Sequence, residues 1–200
     1  PFGDEKFVAQ VAAEVKHAVG AVRGLPALVA VCGGSEVMQQ AAMMGLPETI
    51  WQSAANDAAL KPMVAAERAD VAFIANSPCD GALPFHVNHG VSHYYGVGAY
   101  MRPLEDARRA DVAFAAECLA FSNVPDDTSL RGALTAPAVH HPDWKAAVPR
   151  DRGASWDFED VREHYMNLLY GVDCGRVRRE DPSRYLAIAR AAPAEVMEAT

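Results

Sequence analysis

The chain has 200 residues, half of them hydrophobic and 22% charged, and carries a formal net charge of -8 at pH 7. That length suffices for a sizeable hydrophobic core, and that balance excludes a disordered segment. The acidic total argues against a nucleic-acid binder, whose binding face would be basic, and no apolar run reaches the roughly 18 residues of a membrane span.

In chain order, DEKFVAQVAAEVKHAVG (4–20) places Phe7, Val8, Val11, Val15 and Val19 at helical spacing, with acids at the start and Gly20 at the end. ALVAVC (27–32) is a continuous apolar run, the pattern of a strand buried on both faces. It leads into Gly33, Gly34 and Ser35 and then a lone carboxylate, Glu36, where a helix is expected to run to about Met44 and end at Gly45 and Pro47. A further helix fits Asp57 to Arg68, and DVAFIA (70–75) reads as a second buried strand. A Gly/Pro/Asn-rich loop (76–90) precedes VSHYYGVGAY (91–100), which is strand-like at its start.

A helix around Pro103 to Arg109 leads to DVAFAAE (111–117), a strand closed by a second lone acid, Glu117. A short helix can start at Asp126, and the Pro/His/Trp-rich stretch 137–156 reads as irregular. WDFEDVREHYMNLLYGV (156–172) is amphipathic, with Asp157 as N-cap and Gly171 as stop. A last helix follows Asp181 as cap and Pro182 at its first position, with Pro193 as a possible kink. Apolar strands alternating with helices are the pattern of a parallel α/β fold. The chain starts at Pro1 without an initiator Met or signal peptide, and reads as a segment of a longer protein of unassigned localisation.

The four cysteines show no paired spacing, and Cys32 and Cys118 read as small buried hydrophobes rather than disulfide partners. There is no Gly-rich phosphate loop, so no nucleotide cofactor is expected. His86, His89 and His93 form an H-x₂-H-x₃-H run that could serve a metal-dependent hydrolase. Pro84, Asn88 and Gly90 break any helix there, so no metal is assigned. Trp51 and Trp144 can either pack or stack on a sugar.

In parallel barrels the reacting groups stand at the C-terminal ends of strands, where Glu36 and Glu117 both fall. Two carboxyls at one mouth can cleave a glycosidic bond, one giving a proton to the leaving oxygen and the other attacking the anomeric carbon or activating water. The spacing alone favours the plainer reading, Glu36 as a helix N-terminal acid and Glu117 as a salt-bridge partner.

Four motifs in order carry a resemblance. RGLPALVAVCGGSE (23–36), IANSPCDG (74–81), HYYGVGAYMRPLEDA (93–107) and FAAECLAFSNVP (114–125) together resemble the catalytic barrel of glycoside hydrolase family 2, in its β-mannosidase-like branch. The resemblance covers most of 4–125 and extends loosely to 200. It implies that residues 1–200 supply part of a (β/α)₈ TIM barrel, approximately strands 4 to 7 with their helices, completed by remaining segments of the parent chain. It implies Glu36 as acid/base and Glu117 as nucleophile in retaining hydrolysis of a terminal β-glycosidic bond, with a carbohydrate substrate and no cofactor. Ser35, His93, Tyr95 and Tyr100 become substrate-binding candidates, His93 and Tyr95 also as donors to Glu117. Val31 and Val37 are expected to enclose Glu36 in apolar surroundings. Two departures stand out: Ser35 replaces the family's Asn before the acid/base, and Gly98 replaces a Trp of the sugar pocket. They leave open a catalytically inactive carbohydrate-binding or scaffold segment of the same fold.

Overall fold

The computed structural model describes residues 5–51, 60–133 and 139–200. It divides into two compact units, residues 1–93 with 112–116 and residues 94–111 with 117–200. The expected helix start at Asp57 lies outside the described residues.

In the first unit α1 (Glu5–Ala21) packs against α4 (Lys61–Glu67). Strand β1 (Ala30–Cys32) pairs in parallel with β2 (Ala72–Ile74), in the register Ala30 to Ala72, Val31 to Phe73 and Cys32 to Ile74. A parallel pair needs a long crossover, and α2 (Val37–Met43), α3 (Glu48–Trp51) and α4 lie within it. Arg68 anchors the approach to β1. Its guanidinium donates to the carbonyls of Arg23, Leu25 and Leu28 and pairs with Asp70. Gly33 sits at a close approach, where a Cβ would stand 2.7 Å from the end of the Phe73 ring.

The strands differ from expectation in two ways. Each is three residues long rather than six, and neither is buried on both faces: Val29 is 73% exposed, Cys32 is exposed, and Val31 and Phe73 are half-buried. The apolar run is present, but two strands alone cannot cover both of their own faces. Nor do the described strands form one continuous sheet. They make two two-stranded sheets, β1 with β2 and β3 (Ser92–Gly98) with β4 (Ala115–Leu119). The fold is mixed α/β with parallel strands, coarser than the expected barrel segment.

In the second unit, α8 (Phe158–Tyr170) packs on α10 (Pro182–Ala199), and α9 (Cys174–Glu180) contacts both. Smaller helices are α5 (Asp106–Arg109), α6 (Asp127–Ala133) and α7 (Pro142–Ala146). Asp157 caps α8 in a reciprocal box with Asp160, Gly171 ends it in the left-handed region, and Asp181 caps α10. Tyr165, Met166, Tyr185, Ala189 and Val196 are fully buried.

At the polar heart of this unit Glu159 accepts from the Trp144 indole N–H at 2.6 Å and pairs with Lys145, Arg162 and Arg178. Burial pushes the Glu159 carboxyl up, but the Trp144 and Lys145 hydrogen bonds and the Arg178 charge outweigh it and hold the group below its ordinary value. Trp144 is therefore a packed residue, as is the buried Trp51 of the first unit. The cysteines also depart from expectation: Cys32 is exposed and Cys118 half-buried, whereas Cys79 and Cys174 are buried, burial pushing each thiol up to about 11.

Candidate functional site

In the first unit, two backbone bonds carry the β1–β2 ladder beyond the strands. Ser77 N–H donates to the Gly34 carbonyl at 2.9 Å, and Glu36 N–H donates to the Ser77 carbonyl at 2.7 Å. Ser35 bridges Ser77 in parallel register. Glu36 is thus fixed just before α2 with φ of 56° and ψ of 0°, a left-handed conformation that a non-glycine residue adopts only when its surroundings impose it.

The Glu36 carboxyl is ringed by donors rather than by the expected valines. His93 Nδ1 lies 2.9 Å from Oε1, Gln39 Nε2 donates to Oε1 at 3.1 Å, and Gln40 Nε2 donates to Oε2 at 3.3 Å. Val37 is exposed and Val31 only half-buried. The other ring nitrogen of His93, Nε2, lies 2.7 Å from Ser77 Oγ. The buried His93 therefore engages Glu36 through one nitrogen and Ser77 through the other.

This geometry also separates the histidine run. His89 Nδ1 sits 2.9 Å from Asn88 Oδ1, His86 meets Phe85 edge-to-face, and the three imidazoles do not converge where one ion could bind them all.

In the second unit, Glu117 lies within β4 rather than closing it, since Cys118 and Leu119 continue the strand. Tyr95 Oη donates to Glu117 Oε2 at 2.6 Å, the donor expected for an ionised carboxylate. Tyr94 donates to Asp106 at 2.8 Å and is a structural aromatic; burial and that bond push its hydroxyl up to about 12. Tyr100 is 69% exposed at the turn after β3. Gly98 has φ of 99°, and a Cβ there would stand 1.5 Å from the Leu119 carbonyl oxygen. This backbone has no room for a side chain at 98.

Sequence reasoning gave no role to Gln39 or Gln40, nor to Ser77, which it met only as part of the motif 74–81. The two glutamines follow Glu36 at helical spacings of three and four and were legible on those grounds. The motif 74–81 holds Ser77 but does not reveal its partner His93, 16 residues away.

Among solved structures, the chain is similar to a β-D-mannosidase from Dictyoglomus thermophilum, with a TM-score of 0.62 and 17% sequence identity over 98% of this chain. The chain spans 23% of that protein's length. No family model and no curated protein matches it. The likeness is one of fold, to part of a glycoside hydrolase.

Proposed function

We propose that this chain is the catalytic part of a retaining β-glycosidase of β-mannosidase type, with Glu117 as nucleophile and Glu36 as acid/base. The Glu117 carboxylate attacks the anomeric carbon as the Glu36 proton passes to the departing oxygen and the glycosidic bond breaks. Glu36, now a carboxylate, then takes a proton from water, whose oxygen displaces Glu117 and restores the original anomeric configuration. Tyr95 keeps the nucleophile ionised and oriented, while Ser35 and Tyr100 remain candidates for sugar contact.

One observation carries this reading. Each acid is held by a donor from β3, His93 for Glu36 and Tyr95 for Glu117. A salt-bridge role for Glu117 or a simple helix-start role for Glu36 does not call for that pairing. The resemblance to a mannosidase fold supports the same assignment.

On this reading the four strands belong to an eight-stranded barrel whose other strands come from outside residues 1–200. The open faces of the first unit, with Val29 and Phe114 both mostly exposed, support it. Residues 1–200 alone are then expected to show no cooperative thermal transition. A soluble monomer with a sharp melt would refute the barrel assignment.

The activity test compares aryl β-mannosides with good and poor leaving groups in the full-length protein. Glu117→Ala should abolish turnover of both. Glu36→Ala should lose about 10²–10⁴-fold on the poor leaving group and far less on the good one, which needs no proton. Wild-type activity in both variants would overturn the assignment.

A further inference from the structure

We infer that Ser77 is a positioning residue: acting through the tautomer of His93, it fixes which oxygen of Glu36 carries the transferable proton. The inference rests on the acid/base reading of Glu36.

The Ser77 hydroxyl is buried, and among the described residues its hydrogen-bond partner is His93 Nε2, at 2.7 Å. A buried O–H needs an acceptor. Nε2 can accept only as a lone pair, which places the ring proton on Nδ1. Nδ1–H then points at Glu36 Oε1, 2.9 Å away. The opposite tautomer would strand the Ser77 hydrogen and set the Nδ1 lone pair against a carboxylate oxygen. Ser77 thus acts on Glu36 twice. Its carbonyl accepts the Glu36 N–H and holds the left-handed backbone, and its hydroxyl sets the ring that addresses the carboxyl.

The consequence falls on the two carboxyl oxygens. Among the described residues Oε1 receives His93 Nδ1–H and the Gln39 amide, whereas Oε2 receives the Gln40 amide, at 3.3 Å. A proton on Oε1 would collide with the His93 proton, so the neutral acid carries its hydrogen on Oε2. From there it passes to the leaving oxygen, and to Oε2 a proton returns from water.

Ser77→Ala removes the hydroxyl and leaves the backbone bonds. In the full-length protein, kcat/KM on a poor leaving group should fall roughly 10-fold, the loss of one oriented hydrogen bond. The value on an activated leaving group should stay near wild type, and Ser77→Thr should restore the first. A crystal structure of Ser77→Ala should keep the Glu36 backbone in place. Equal losses on both substrates, or no loss on either, would overturn the inference. If Glu36→Ala itself shows no dependence on leaving group, the acid/base reading fails and this inference falls with it.

Discussion

The two units stabilise their parts in opposite ways. In the second, α8 and α10 bury whole aromatic rings and a partnered ionic cluster, and the strongest interactions stay within the unit. In the first, β1 and β2 leave apolar side chains in the open, and Arg68, the ladder through Ser77 and the crossover helices hold the strands. The contrast teaches that the strained Glu36 backbone owes its geometry to a few directed hydrogen bonds. Packing dominates where no candidate catalytic group other than Glu117 stands.

Breaking the ionic cluster is the largest test of that difference. Glu159→Ala leaves Arg162 buried beside an emptied site, and removing one partner of a buried pair costs about 3–5 kcal/mol. Hydrogen exchange of the α8 amides should show that loss, with the β1 amides little changed. The same cluster sets an acid limit. The folded Glu159 and Asp157 carboxyls are held below their ordinary values, for Asp157 against burial by the Lys145 bond and the Asp160 N–H. Their stabilisation is complete above the unfolded value near about 4 and is lost as pH falls through the depressed folded values. Protection of α8 should therefore drop on acidification, and less steeply in Glu159→Gln.

A pair of glycine substitutions sharpens the comparison. At Gly98 the obstruction is the Leu119 backbone, which cannot rotate away, and Gly98→Ala should cost at least about 3 kcal/mol. At Gly33 the nearest obstruction is the end of the Phe73 ring, in a half-buried strand that can yield. Gly33→Ala should cost about 1–2 kcal/mol. Urea midpoints of the two variants in the full-length protein measure the difference, and equal costs would show that the first unit is as tightly packed as the second.

The smallest effect is expected at Val29. Replacing this exposed valine by Ser should change the hydrogen-exchange protection of the β1 amides in residues 1–200 by no more than the equivalent of about 0.5 kcal/mol. In the full-length protein the same change should cost more, because the barrel proposal covers that face.

Parts of this architecture were legible in the sequence. Asp157, Gly171, Asp181 and Pro182 announce α8 and α10 because capping is local chemistry. His93 and Tyr95 were both legible as donor candidates for Glu117; Tyr95 donates to it, and His93 engages Glu36. Helices α7 and α9 were not read, although Pro142 and Asp173 mark their starts. Each is a short helix held by tertiary contacts, Trp144 through Glu159 and Arg178 through Glu163 and Tyr185. The position of β4 slipped because Asp111 turns into the left-handed region and delays the strand to Ala115. Ser77 was illegible for a different reason, since its partners are separated from it by loops and no pattern of residue types encodes that meeting.

The proposed retaining mechanism requires Glu117 to be the nucleophile. The decisive measurement is mass-spectrometric peptide mapping of the full-length protein after inactivation by an activated 2-deoxy-2-fluoro-β-mannoside, a sugar that traps the glycosyl-enzyme. The account predicts a single ester on Glu117. A sugar attached to any other residue, or turnover of the parent mannoside with no label at Glu117, would contradict it.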